Sequence, residues 1–301
     1  MSTELNGIVV VDKPEEITSA GVVAKVKKLF RARKVGHTGT LDPFATGVLI
    51  CCINKATKLA RFFLKGDKAY EAELVLGVST ETQDATGAVV KERQLTGITA
   101  RTVIETARRF TGAIEQVPPI YSALKHRGTP LYKLARQGKA LEKPARTVKI
   151  HALEILEVNL PKVRFFVSCS SGTYIRTVCS DMGDALGCGA HLSKLRRLSG
   201  SGFTIDDAIE LKTLLGLKDP AALEKVVVPM NKALPFMQTA VADDRVAGKI
   251  KNGVKLFPKD LRMFSRLREQ EAFKVIDHDG RLVAVLAPSS TTDAYDYCCV
   301  F

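Results

Sequence analysis

Between Gly36 and Leu49 the chain reads Gly-His-Thr-Gly-Thr-Leu-Asp-Pro-Phe-Ala-Thr-Gly-Val-Leu, and its punctuation excludes most regular structure. Three glycines and Pro43 within fourteen residues allow neither a regular helix nor a strand before the apolar run Val48-Leu49-Ile50. The segment therefore reads as a fixed loop feeding a strand. It holds one imidazole, His37, and one carboxylate, Asp42. Glycine lets backbone approach a ligand closely, Pro43 stiffens the residue after the acid, and the threonines offer local hydrogen bonds. Residue chemistry alone leaves two readings open: an active-site loop built on Asp42, or a tight structural turn in which Asp42 bonds loop amides.

The surrounding chain alternates strand and helix signals, which predicts an α+β fold. Ile8-Val9-Val10-Val11 reads as a buried strand ending at Asp12-Lys13-Pro14. Thr18 or Ser19 then caps a helix through Phe30, with Val22, Val23, Val26 and Phe30 inward. A second helical pattern runs from about Lys55 to Leu64 and ends at Gly66. From Lys68 to Leu76 the pattern has period two, placing Tyr70, Ala72, Leu74 and Leu76 on the core face and Glu71 and Glu73 on the other. A core tyrosine still needs a partner for its hydroxyl, so Tyr70 should border a polar pocket or a buried acceptor. Gly77–Gly87 reads as a loop. Thr99–Phe110 reads as a helix with Val103, Ile104, Ala107 and Phe110 inward, and Pro118-Pro119 blocks continuation. Val163–Cys169 alternates as a strand. The turn Ser170-Ser171-Gly172 then leads into a helix capped by Thr173 that carries Tyr174 and Arg176, with free amides able to meet an anion. Past Pro229 and Pro235, Ile250, Gly253, Phe257 and the alternating Phe273–Val285 predict a small β-rich unit.

Charge narrows the partners. The chain carries 45 Lys and Arg against 32 Asp and Glu, a net charge of +13, which favours a polyanion. From Tyr121 to Ile150 there are eight Lys or Arg (Lys125, Arg127, Lys133, Arg136, Lys139, Lys143, Arg146, Lys149) against one acid, Glu142. Residues 241–301 are nearly balanced, with ten basic and nine acidic side chains. The basic stretch is interleaved with Tyr121, His126 and Tyr132, which can stack on bases, so it reads as an RNA contact rather than a merely solvated face. No segment reaches the roughly 20 apolar residues that span a bilayer, and the N-terminus lacks the features of a signal peptide. The expectation is a cytoplasmic protein. Seven cysteines without a C-x-x-C pair read as reduced, mostly buried thiols, neither a disulfide framework nor a zinc site. Cys298-Cys299-Val300-Phe301 formally fits a prenylation box; the alternative is an apolar final strand, and no polybasic stretch lies just upstream.

The segment Gly36–Leu49, centred on Gly39-Thr40-Leu41-Asp42, resembles the signature loop of the TruB family, pseudouridine synthases that modify the T-loop of transfer RNA at position 55. Five further segments carry the resemblance: Lys68-Ala69-Tyr70, Gly77 through Gly87 with Thr80, Thr82 and Asp84, Pro118 through Lys125, Gly172-Thr173-Tyr174-Ile175-Arg176, and His191 through Phe203. It is strong from about Gly7 to Phe203 and thins after Phe236. Two departures stand out. Glu16 occupies a place where the family has glycine, and Ser171 one where many relatives carry lysine.

The resemblance implies a pseudouridine-synthase fold, with a mixed, mostly antiparallel central sheet flanked by helices. It implies a catalytic domain over residues 1–237, with a basic RNA-gripping insertion at about 121–150, and a short PUA-like RNA-binding domain over 238–301. Asp42 becomes the essential catalytic carboxylate, Arg176 its partner, and Tyr70 the residue against the uracil. His37 stacks in the space vacated by a flipped base, Tyr174 positions the base or the Asp–Arg pair, and Leu195 shapes the pocket wall. Lys125, Arg127, Lys133 and Arg136 would meet the RNA backbone. The alternatives at these sites are a phosphate clamp for Arg176 and plain packing for the two tyrosines and Leu195.

Pseudouridine formation breaks the bond between ribose C1′ and uracil N1, turns the base and rejoins it through C5. That scheme needs one carboxylate, a closed pocket and a route for the C5 proton, and no cofactor or metal. The implied partner is the T-stem-loop of tRNA, with no obligate protein. Three rivals remain: a guide-RNA-dependent subunit, which usually has a longer C-terminal domain and lysine-rich tails; a non-catalytic RNA-folding protein; and a glycoside hydrolase, disfavoured because no second carboxylate is convincingly placed as its acid.

Overall fold

The structure is a computed structural model that describes residues 4–263 and 271–301. Among these, eleven strands form one large sheet. Its main path runs Ile209–Glu210, Gly7–Lys13, Thr46–Ile53, Ala190–Gly200, Lys68–Leu76, Lys162–Cys169, Arg146–Asn159 and Gly112–Gln116. Most neighbours are antiparallel. Thr46–Ile53 lies parallel to Ala190–Gly200, with Thr46 opposite Arg196 and Gly47 opposite Arg197. Arg197 in turn faces Tyr70 on Lys68–Leu76, and Tyr70 faces Val167. One row across four strands thus brings the end of the Gly36–Leu49 loop beside Tyr70.

The opening strand spans Gly7–Lys13, and the first helix runs Ser19–Leu29 with Thr18 as its N-cap, whose hydroxyl accepts from the Gly21 amide at 2.9 Å. Val22 and Val26 are buried, while Val23 and Phe30 are half-buried. Glu16 sits at φ +65°, the left-handed region that glycine enters most cheaply. The glycine-to-glutamate departure therefore keeps the turn and carries local strain. Lys68–Leu76 is a strand with Tyr70, Ala72, Leu74 and Leu76 buried, as its alternation predicts.

Four expectations need correction. The Lys55–Leu64 pattern is not one α-helix: Asn54–Leu59 is wound as a 3-10 helix and only Ala60–Phe63 is α-helical. Gly77–Gly87 is not all loop, since Val78–Thr80 pairs with Val89–Glu92 across the chain. The Ala100–Arg108 helix, capped by Thr99, turns Val103, Ala107 and Phe110 to the core as predicted, but buries Thr106 and leaves Ile104 exposed. The helix after the Ser170–Gly172 turn spans Ile175–Ala185 and is N-capped by Tyr174 rather than Thr173. Thr173 instead turns its hydroxyl back to the Ser170 carbonyl at 3.0 Å.

The second sheet has the order Arg262–Met263, Thr239–Val241, Phe273–Ile276, Leu282–Pro288 and Tyr295–Val300, with the helix Asp244–Lys251 beside it. Leu282 and Val285 also pack with Ile8, Phe63 and Leu234, so this unit shares a hydrophobic cluster with the large sheet. Cys298 lies in its final strand, against that cluster. All seven cysteines are free thiols, five of them buried.

Gly47 is a tight point of the framework. It has φ +100°, and a Cβ there would lie 2.2 Å from the Arg197 carbonyl oxygen. Gly47→Ala is expected to cost about 2 kcal/mol of stability from backbone strain and the forced shift of Arg197, measured as the free energy of urea unfolding. An unchanged value would mean that the parallel junction is not tightly set.

Candidate active site

The loop around Asp42 is pinned on both sides of the acid. Ser19 Oγ accepts from the Leu41 amide at 2.8 Å and donates to the Leu41 carbonyl at 3.0 Å. Lys13, with no exposed surface, gives its ammonium to the carbonyls of Pro14 (2.8 Å), Ile17 (2.7 Å) and Pro43 (3.0 Å). Burial pulls its pKa down to about 8 against the opposing pull of Asp42. Asp42's own carbonyl accepts the Ala45 amide at 3.1 Å. Leu41 and Pro43 are thus held to the opening strand and first helix, and the carboxylate between them has one direction left.

That direction is a cleft of about 350 Å³ lined by Asp42, Tyr70, Arg176, Tyr174, Leu195 and Arg146, among others, within the size range of small-ligand sites. Arg176, 5 % exposed, spans four acceptors. Its Nε lies 3.2 Å from Asp42 Oδ2, and Nη1 is 3.1 Å from both Asp84 Oδ2 and the Thr82 carbonyl. Nη2 donates to the Tyr121 carbonyl at 2.9 Å. The expected Asp42–Arg176 pair is therefore a triad with Asp84. Asp84 Oδ1 further accepts from the Thr82 hydroxyl (2.7 Å), the Thr86 amide (2.9 Å) and the Thr86 hydroxyl (2.6 Å). Burial pushes the Asp42 carboxyl above the ordinary aspartate range; Arg176 pulls it back, Asp84 pushes it up again, Lys13 opposes, and the net direction is up.

Tyr70 is buried, and burial raises its phenol pKa while neighbouring Arg197 lowers it. The phenol stays protonated at neutral pH. Arg197 donates Nε to the Val48 carbonyl at 2.6 Å and Nη2 to the Gly39 carbonyl at 3.1 Å, tying the loop to the sheet. Tyr174 is fixed by the side chain of Gln116, 1 % exposed, whose Oε1 accepts the Tyr174 amide (2.7 Å) and whose Nε2 donates to the Tyr174 carbonyl (3.0 Å). A side-chain amide thus stands in for backbone at the helix start.

The chain is similar to known proteins. A model described as TruB family pseudouridylate synthase (N terminal domain) matches residues 27–175, and one described as tRNA pseudouridylate synthase B C-terminal domain matches residues 176–235. The tRNA pseudouridine synthase B of Clostridium tetani is 40% identical over 275 residues, 91% of this chain and 93% of that protein. The chain belongs to the TruB family. The Bacillus licheniformis relative of the same name is 39% identical over 292 residues, 95% of this chain and 94% of that protein. Among solved structures, a Cbf5-Nop10-Gar1 complex contains a chain with TM-score 0.77 and 27% identity, covering 98% of this chain and 84% of that one.

Within this TruB-family cleft the structure brings together Asp42, Tyr70, Arg176, Tyr174 and Leu195. His37 is not among the lining residues. It ends the short strand Val35–His37, opposite Cys51, and its Nδ1 accepts the Gly39 amide at 3.4 Å. Burial lowers its pKa, and Arg197 adds to that, so the ring is neutral at neutral pH. Lys125, Arg127, Lys133 and Arg136 are exposed on the insertion, away from the cleft lining; Arg136 stacks over Tyr132 at 5.8 Å. Sequence reasoning missed Lys13, Ser19, Asp84, Gln116 and Arg197 as site residues. Lys13 and Asp84 left a trace: Lys13 ends the continuous apolar run of a buried strand as a charged residue, which demands buried acceptors, and Asp84 lies in the family-like segment Gly77–Gly87.

Proposed function

We infer that this protein isomerises uridine to pseudouridine in tRNA, and that the uridine is the T-loop one at position 55. The observation that carries the reading is the Asp42–Arg176 pair facing Tyr70 and Leu195 across a single cleft, in a TruB-family chain. The reaction moves no electrons to an acceptor. The C1′–N1 bond breaks, the uracil turns, C1′ bonds C5, the C5 proton leaves and N1 ends protonated. Asp42 supplies the carboxylate, by attack on C1′ or C6 or by taking a ribose proton; all three use the same side chain. Arg176 keeps that carboxylate charged in a site that burial disfavours. Tyr70 and Leu195 close over the base so that the freed uracil rejoins rather than escapes. His37 packs into the space left when the base flips out, an unstacking that costs a few kcal/mol.

Purified protein incubated with unmodified T-stem-loop RNA should yield pseudouridine, read by mass spectrometry; unchanged RNA sinks the substrate assignment. The similarity to Cbf5 of a Cbf5-Nop10-Gar1 complex favours a second reading, a guide-RNA-dependent subunit. Turnover without guide RNA or protein partner decides for the stand-alone enzyme. Residues 1–237 are the catalytic domain in this reading, the insertion at about 121–150 grips RNA through Lys125, Arg127, Lys133 and Arg136, and 238–301 form a PUA-like RNA-binding unit. No helix among the described residues is long and apolar enough to cross a membrane, and we place the enzyme with its tRNA in the cytoplasm.

In this reading the Tyr70 hydroxyl relays the C5 proton, and Tyr70→Phe keeps the ring against the base while deleting that hydroxyl. Turnover should fall about 100-fold, the scale of a lost proton-transfer group, with RNA affinity within threefold. A variant with full turnover returns Tyr70 to a stacking role alone.

A further inference from the structure

We propose that Arg146 is the cleft's anion contact and binds the phosphodiester flanking the target uridine. This rests on the reading of the cleft as a nucleotide site. Arg146 opens the strand Arg146–Asn159 directly after the basic insertion, opposite Gln116 in register. Its guanidinium lies over the ring of Tyr174 at 5.1 Å and donates Nη2 to the Gly172 carbonyl. Gln116, the residue it faces, clamps Tyr174 from below through both backbone groups. One strand pair therefore fixes both the cation and the ring beneath it, and this preorganisation lowers the cost of binding.

The other cations of the cleft are committed. Arg176 is shared between two carboxylates and two carbonyls. Arg197 is buried against the Val48 and Gly39 carbonyls. Lys68 is bound to the Gly66 carbonyl and pulled down to about 8 by burial. Arg146 is half-exposed, lines the cleft beside exposed Gly172, and has no carboxylate partner among the described residues. Its Nε is closed off from solvent with nothing to bond, a state that buried donors rarely tolerate. A permanently charged fork with unspent donors beside a nucleotide-sized cleft suits a phosphate, which takes two parallel N–H bonds. The basic insertion draws the RNA in over a long range; Arg146 sets which phosphate stops at the cleft.

The test is equilibrium binding of T-stem-loop RNA to the Asp42→Asn protein, which holds the RNA without converting it. Arg146→Gln should weaken binding about tenfold, the scale of one charge-assisted contact, and reduce the salt slope of log K by about one. Two further RNAs each carry one uncharged methylphosphonate, at the phosphate 5′ or 3′ of the target, with the adjacent 2′-hydroxyl methylated in these and in the reference RNA. At one of them the Asp42→Asn protein should lose about the same tenfold, and Arg146→Gln should add nothing more. Arg146→Lys keeps the charge and should restore the salt slope while recovering only part of the affinity. Unchanged binding, an unchanged salt slope, or an equal Arg146→Gln loss on all three RNAs overturns the proposal, because support of Tyr174 alone predicts that last result. Conversion of unmodified RNA by the unaltered protein is scored separately. If it succeeds while the coupling is absent, the proposal falls and the function stands; if it fails while the coupling is present, the phosphate contact stands and the function falls.

Discussion

Asp42→Asn is expected to reduce pseudouridine formation at least about 10⁴-fold, the scale seen when an essential attacking or proton-accepting group is removed. The change is nearly isosteric and leaves Leu41 and Pro43 anchored by Ser19 and Lys13, so the loop should keep its shape. The fold should not suffer. Because Asp42's carboxyl is held above its ordinary value, folding favours its protonated form. Its stability contribution is then present at acid pH and lost as pH rises through the raised value, leaving the ionised group a load at neutral pH. The asparagine variant should therefore melt at the same temperature or higher while being inactive. The same shift moves the acid limb of kcat/KM above the unperturbed aspartate value of about 3.9. Single-turnover assays, a thermal melt and a pH profile check these three statements, and residual turnover within tenfold of the unaltered protein would remove Asp42 from the chemistry.

Arg176→Ala is expected to cost about 3–5 kcal/mol of stability, because it strips a buried ion pair of one partner. Asp84 is 3% exposed and would keep only the threonine hydroxyls and one amide. The Tyr121 carbonyl at the start of the basic insertion would also lose its donor. Urea unfolding measures the cost. Asp84→Asn placed on top of Arg176→Ala removes the stranded charge and should return part of the stability. It should not return activity, since Asp42 would still lack its guanidinium. If Arg176→Ala unfolds like the unaltered protein, the triad is not a supporting element of the fold; if the double variant regains turnover, Arg176 has no part in holding Asp42 ionised.

How much was legible follows from the range of each signal. The alternation at Lys68–Leu76 put Tyr70 in the core, and the glycine and proline punctuation around Asp42 marked a fixed loop, because period and turn chemistry are written in consecutive residues. The chain's resemblance to the TruB family added Arg176 as a partner some 130 positions away. Asp84 was visible only as part of a family-like segment that reads as loop, with no role attached, and Gln116 lay in a stretch to which the sequence assigned no element. Neither carries a local signature, since each matters through a contact with Arg176 or Tyr174 distant in sequence. His37 was legible as chemistry but not as position: its ring rests on the Gly39 amide, outside the cleft lining.

Arg146 makes the division sharpest. The sequence by itself determined that a basic stretch precedes the second half of the sheet, that Asp42 sits in a rigid loop, and that strands and helices alternate into an α+β fold. These are matters of composition, period and local backbone chemistry. Only the tertiary structure decided that, of the eight basic side chains from Tyr121 to Ile150, Arg146 lines the cleft, over Tyr174 and without an acid partner among the described residues. It also decided that Arg176 serves two carboxylates and that Lys13 holds the loop from below. Burial and pairing depend on which strands become neighbours. That choice is made by the hydrophobic faces of the whole sheet together, and no single stretch of sequence contains it.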